Sequence, residues 1–120
     1  MATKSGVDLR LYARFELGTE AKVSSDGEAE SVASRLVDIG LGGVSLETNT
    51  ALEANSKVNL QIDIKSISLE VPCQVLYCCP NKQGSFSSGL KFVPSTHQER
   101  VAIAEFVHDV FQRQWEILAS

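Results

Sequence analysis

No stretch of this 120-residue chain approaches the ~20 consecutive apolar residues that a helix needs to span a bilayer. Met1 to Gly6 leads into no apolar core of the kind that directs export, so no membrane insertion and a cytoplasmic location are expected. Basic residues are in the minority, 11 Lys and Arg against 15 Asp and Glu, for a formal charge of −4. Nonspecific binding to long nucleic acid draws on an excess of cations to displace counterions, so the charge argues against that class, but it does not exclude a small anion held by two or three local arginines. Aromatic residues make up 7% of the chain, too few for the stacking platforms of a barrel that binds single strands. Cysteine is scarce as well: Cys73, Cys78 and Cys79. The adjacent pair would point to opposite faces of a strand, and neither His97 nor His108 completes a zinc spacing. No metal or cofactor is expected, and the thiols read as reduced and buried or half-buried. Neither histidine has a nucleophile suggested beside it, which argues against an enzyme.

What the chain does contain is short alternating segments punctuated by turns. The hydrophobic fraction of 43% and charged fraction of 22% suit one domain with a single core. Residues 1 to 9 are polar and aperiodic and read as a flexible arm, leaving 10–120 as the domain. Phe15 to Ser24 predicts a strand ending in Ser24-Ser25-Asp26-Gly27, where Asp-Gly favours a hairpin because glycine accepts positive φ. Val32 to Ile39 is the return strand, Gly40 to Gly43 a tight turn, and Val44 to Thr48 the next strand. After a polar connection, Lys57 to Ile64 alternates with strict period two. Ile67 to Cys79 is a long β segment in which Pro72 predicts an edge position or a bulge. Phe86 to Val93 closes the series. Beyond Pro94 the period lengthens: Ser95 or Thr96 can cap a helix, with Gln98 and Glu99 as capping-box partners. Ile103, Phe106, Val107, Val110, Phe111 and Leu118 form an apolar stripe on a helix over about 96–118. About six antiparallel strands and one helix indicate a mainly β fold, a small closed or nearly closed barrel with the helix over an open end.

Two clusters could carry chemistry. Arg10 and Arg14 stand four residues apart at the head of the first strand. Guanidinium binds phosphate bidentately, pairs with guanine O6 and N7, and stacks on a purine. Asp38 can accept from guanine N1 and N2, and Gly40, Gly42 and Gly43 permit unusual backbone angles and close approach of a ligand. Taken singly, each cluster reads more simply as structure: solvated arginines beside Asp8 or Glu16, and an ordinary turn. Tyr77 is placed to stack on a base but reads as a barrel-wall residue, and Trp115 as a packing residue of the terminal helix.

In order, Arg10-x-x-x-Arg14 followed by Asp38-x-Gly40-x-x-Gly43 resembles the PilZ domain. The likeness extends to Leu46-Glu47-Thr48 and to Gly89-Leu90-Lys91-Phe92-Val93, and so covers nearly the whole chain. The resemblance implies a six-stranded antiparallel β barrel of split-barrel type with a C-terminal α-helix. It also implies a receptor for the bacterial second messenger cyclic di-GMP, with Arg10 and Arg14 on phosphates and guanine Hoogsteen edges, Asp38 on a guanine, and Gly40 and Gly43 in the turn. The family's usual serine is Gly40 here, the loss of one hydroxyl contact worth about 1 kcal/mol, or roughly fivefold in affinity. Further implied are a protein partner in motility or exopolysaccharide machinery and a monomeric or dimeric state. The alternative is an interaction adaptor of the same fold for motility or pilus machinery, with weak or no nucleotide binding.

Overall fold

Strict alternation decides the clearest element. In Lys57–Ile64, Val58, Leu60, Ile62 and Ile64 are buried while Lys57, Gln61 and Asp63 face solvent. The computed structural model describes the backbone of residues 13–25, 31–64 and 67–119 and the side chains of residues 19–25, 31–64 and 67–112. The N-terminal arm, Arg10, the Asp26-Gly27 turn and the side chain of Trp115 lie outside these described residues.

Among the described residues there are six strands: β1 (Ala13–Ser25), β2 (Ser31–Ile39), β3 (Gly43–Thr48), β4 (Lys57–Ile64), β5 (Ile67–Pro80) and β6 (Phe86–Phe92). They close into an antiparallel barrel in the order β1-β2-β3-β6-β5-β4. The core is filled from all six strands, with Leu36, Ile39, Leu60, Ile62, Cys73 and Val75 fully buried. The step from β3 to β6 leaves the connection 49–56 to cross to β4. That connection is tied down on β5: Asn55 N–H donates to Val75 O at 2.7 Å and Ser56 O accepts from Val75 N–H at 3.0 Å.

Pro72 is not on an edge strand, because β5 lies between β4 and β6 in the closed barrel; it stands where the β5–β6 ladder stops. It pairs with Asn59 of β4, but the ladder to β6 begins only at Cys73. Its missing N–H therefore breaks no bond to β6, while its carbonyl accepts from Val93 N–H at 2.9 Å. The bulge in β5 lies instead at Leu76, between the pairs Val75↔Leu90 and Tyr77↔Gly89.

The helix α1 (His97–Ala119) begins as the capping pattern predicts. Thr96 Oγ1 accepts from Glu99 N–H at 3.1 Å, and the Glu99 carboxylate reaches back to Ser95 N–H at 2.7 Å. Its apolar stripe buries Ile103, Phe106, Val107 and Val110 in the same core as the strands, against β5 and β1. Each such side chain contributes about 1.5–3 kcal/mol on full burial. Among the described residues no helix is long and apolar enough to cross a membrane.

The thiols depart from expectation at one position. Cys73 is buried and Cys78 half-buried, the latter accepting from Leu52 N–H at 3.3 Å, but Cys79 is exposed. The strand alternation that turns Cys73 inward is shifted by the Leu76 bulge, which leaves Cys79 on the outside with Tyr77.

Candidate functional site

Two bulges decide which side chains the barrel shows to solvent. On β2, Leu36 is buried against Leu46, and unbroken alternation would turn Asp38 inward as well. Val37 is an extra residue, since Leu36↔Leu46 is followed directly by Asp38↔Ser45. Asp38 therefore faces outward beside Ser45, and the next buried position is Ile39. On β5 the extra residue Leu76 does the same for Tyr77, which would otherwise follow Val75 into the core. A bulge re-aims the side chain beside it, and here it does so on both sides of one surface recess.

That recess has a volume of about 250 Å³ and is lined by Asp38, Gly43, Ser45, Tyr77, Gly89 and Lys91, among others. A single row of paired residues runs through it across five strands: Arg14, Asp38, Ser45, Gly89 and Tyr77. Its depth comes from small residues on β3 and β6. At Gly43 an added Cβ would lie 2.0 Å from Leu90 O, so only glycine lets the two strands approach this closely. At Gly89 an added Cβ would lie 2.3 Å from Cε2 of Tyr77, whose ring lies over the glycine. Below the recess, Arg35 and Glu47 form an exposed cross-strand ion pair, of a kind worth about 0–1 kcal/mol.

Of the residues singled out in the sequence, Arg14 and Asp38 are cross-strand partners. Asp38 and Gly43 line the recess together. Gly40 is buried in the β2–β3 turn, where its N–H donates to Gly43 O at 2.9 Å, so it serves the turn through its backbone. Arg10 lies outside the described residues. Of the other residues that line the recess, the sequence singles out none of Ser45, Gly89 and Lys91 as candidates, and it offers Tyr77 as placed to stack on a base but reads it as a barrel-wall residue. Gly89 carried a usable signal, because a glycine inside a strand often marks close approach of another group.

Comparison with known proteins bears on the fold and the family. Among solved structures, the PilZ domain with c-di-GMP of YcgR from Escherichia coli superposes with a TM-score of 0.71 at 10% identity, covering 90% of this chain and 93% of that one. MrkH of K. pneumonia in its apo state gives 0.66 at 16% identity, over 91% of this chain and 53% of that one. The Bacillus subtilis inhibitor of motility MotI/DgrA gives 0.65 at 12% identity, over 88% and 51%. The chain thus spans about half the length of the last two, and at these identities the likeness speaks for the fold. Among curated protein sequences nothing matches. The family model for the PilZ domain matches residues 8–109, most of the chain, and with the six-stranded barrel and its terminal helix this makes the chain a member of the PilZ domain family.

Proposed function

We propose that the chain is a non-enzymatic, cytoplasmic receptor for cyclic di-GMP that relays the ligand's presence to a protein partner. The observation that carries this reading is the pairing of Arg14, from the first motif, with Asp38, from the second, at one side of the recess. Arginine supplies a cation for a phosphate or a guanine Hoogsteen edge, and aspartate an acceptor for guanine N1 and N2. Arg10, four residues upstream, supplies a second cation. Two nearby cations repel without ligand; a bis-phosphate neutralises both and draws residues 1–9 onto the barrel, an ordering switch in a local segment. Similar structures are named for c-di-GMP binding, for inhibition of motility and as the PilZ domain of CeSA from a cellulose synthesizing bacterium, which favours a partner in motility or exopolysaccharide machinery.

Calorimetric titration with cyclic di-GMP tests the reading. Saturable binding that is lost in Arg14→Ala is expected. No heat at about 50 μM ligand, or unchanged affinity in Arg14→Ala, overturns it. Ordering of the arm is expected to appear as ligand-dependent hydrogen-exchange protection of residues 1–12.

Gly40 favours a second reading, an adaptor of the same fold with weak or no nucleotide binding, because this position offers no hydroxyl. Gly40→Ser is expected to tighten binding roughly fivefold under the receptor reading. Partner capture indifferent both to nucleotide and to Asp38→Ala would favour the adaptor.

A further inference from the structure

The barrel takes up only part of the apolar surface of α1. Ile103, Phe106, Val107 and Val110 are buried in the core, where the helix packs on β5 and β1. A second row, roughly 130° away around the helix, consists of His97, Val101, Ala104, His108 and Phe111. Its steps of four, three, four and three residues are those of a heptad seam. His97, Val101, Ala104 and His108 are exposed, Val101 to 42%, and Phe111 is half-buried at the border with the core. In the sequence the same spacing continues at Trp115 and Leu118, so it persists for about three heptads of a helix that runs to Ala119. A helix that only lids a barrel needs the first row and not the second.

The charges beside the seam select its occupant. With Val101 and His108 at heptad position a and Ala104 at d, Arg100 falls at g and Glu105 at the following e. Both are exposed, and neither has an ion-pair partner among the described residues. In two parallel helices in register, g of one helix lies beside the e five residues on in the other. Arg100 of each copy then meets Glu105 of the other, once on each side of the seam. We propose that this face of α1 is a parallel two-helix interface between two copies of the chain, packed along Val101 and Ala104 and oriented by reciprocal Arg100–Glu105 pairs. An antiparallel pair sets g against g and e against e, which forfeits the match. Because the core row is turned well away from the seam, each barrel stands beside the helix pair and not between its members. The pairing is independent of whether the chain binds a nucleotide.

Sedimentation equilibrium of the whole chain from about 1 to about 300 μM tests the pairing, and a reversible monomer–dimer equilibrium is expected. Val101→Glu is expected to weaken it at least about tenfold, because a charge enters the seam. Arg100→Glu and Glu105→Arg are each expected to weaken it roughly tenfold, since both symmetric contacts become like-charged. Mixed in equal amounts, these two variants are expected to form a heterodimer, and the double variant to return to within about threefold of the original affinity. Circular dichroism and a thermal melt check that each variant keeps its fold; should Val101→Glu lose helix, the charge reversals decide alone. A chain that stays monomeric throughout overturns the proposal and leaves the face to a different protein or to residues 1–12. A dimer indifferent to Val101→Glu also overturns it. So does a dimer indifferent to the charge reversals, or one weakened by them and not rescued on mixing.

Discussion

Arg14 of β1 and Asp38 of β2 are directly opposed in the barrel wall, although 24 positions separate them in the chain. The β1–β2 register slips between Arg14 and Thr19, so this pair is set by the short ladder at the mouth of the hairpin rather than by the long ladder nearer its tip. If a ligand bridges the two, their contributions to binding are coupled. Arg14→Ala and Asp38→Ala are each expected to lower affinity for cyclic di-GMP by about tenfold or more, the worth of a charge-assisted hydrogen bond. The double variant is expected to lose less than the sum, and a calorimetric double-mutant cycle measures the difference.

Gly42 and Gly43 are neighbours with opposite tolerances. An added Cβ at Gly42 meets nothing within 4 Å, whereas at Gly43 it meets Leu90 O at 2.0 Å. Gly43→Ala is therefore expected to destabilise by about 1–3 kcal/mol or more as β3 is forced from β6. Gly42→Ala is expected to stay within about 0.5 kcal/mol of the original. Urea unfolding of both variants checks the contrast.

The cysteines are expected to react in a fixed order. Burial pushes the Cys73 thiol up to about 12, so at pH 8 it is neither ionised nor accessible. Cys79 is exposed. Iodoacetamide at pH 8, followed by peptide mass spectrometry, is expected to label Cys79 in the folded protein and Cys73 only after denaturation.

The helix start carries a pH dependence of definite sign. Bonds from Ser95 N–H and from the Ser95 hydroxyl to the Glu99 carboxylate hold its pKa below the ordinary value of 4.5. The folded state thus binds fewer protons here than the unfolded one. This contribution is fully present above about pH 4.5 and is lost as pH falls through the folded-state value. Thermal melts from pH 7 to pH 3 are expected to show Glu99→Gln below the original at neutral pH, with the gap narrowing in acid.

How much of this was legible in the sequence depends on whether a residue's environment is decided locally. Lys57–Ile64 announced itself by alternation, because one face of that strand meets the core along its whole length. The Thr96–Glu99 cap is a contact within four residues and was equally open to inspection. Asp38 and Gly43 could be marked as candidate site residues from their own chemistry, and both line the recess. Tyr77, Ser45 and Gly89 could not be grouped with them, since only the placement of β6 between β3 and β5 brings them to one recess. The exposure of Cys79 was hidden for a related reason: nothing near Leu76 in the sequence says that β5 has one more residue than its partner requires.

Those extra residues have a consequence for how the site is to be dissected. Val37 and Leu76 matter by being counted, whatever side chain they carry. Alanine at either leaves the count intact and would pass both over as unimportant. Removing either residue shifts the parity of the strand and sends Asp38, or Tyr77, toward the interior, where an unpaired carboxylate is costly. The length of two strands, rather than the identity of any one residue on them, keeps this face of the barrel open to a ligand.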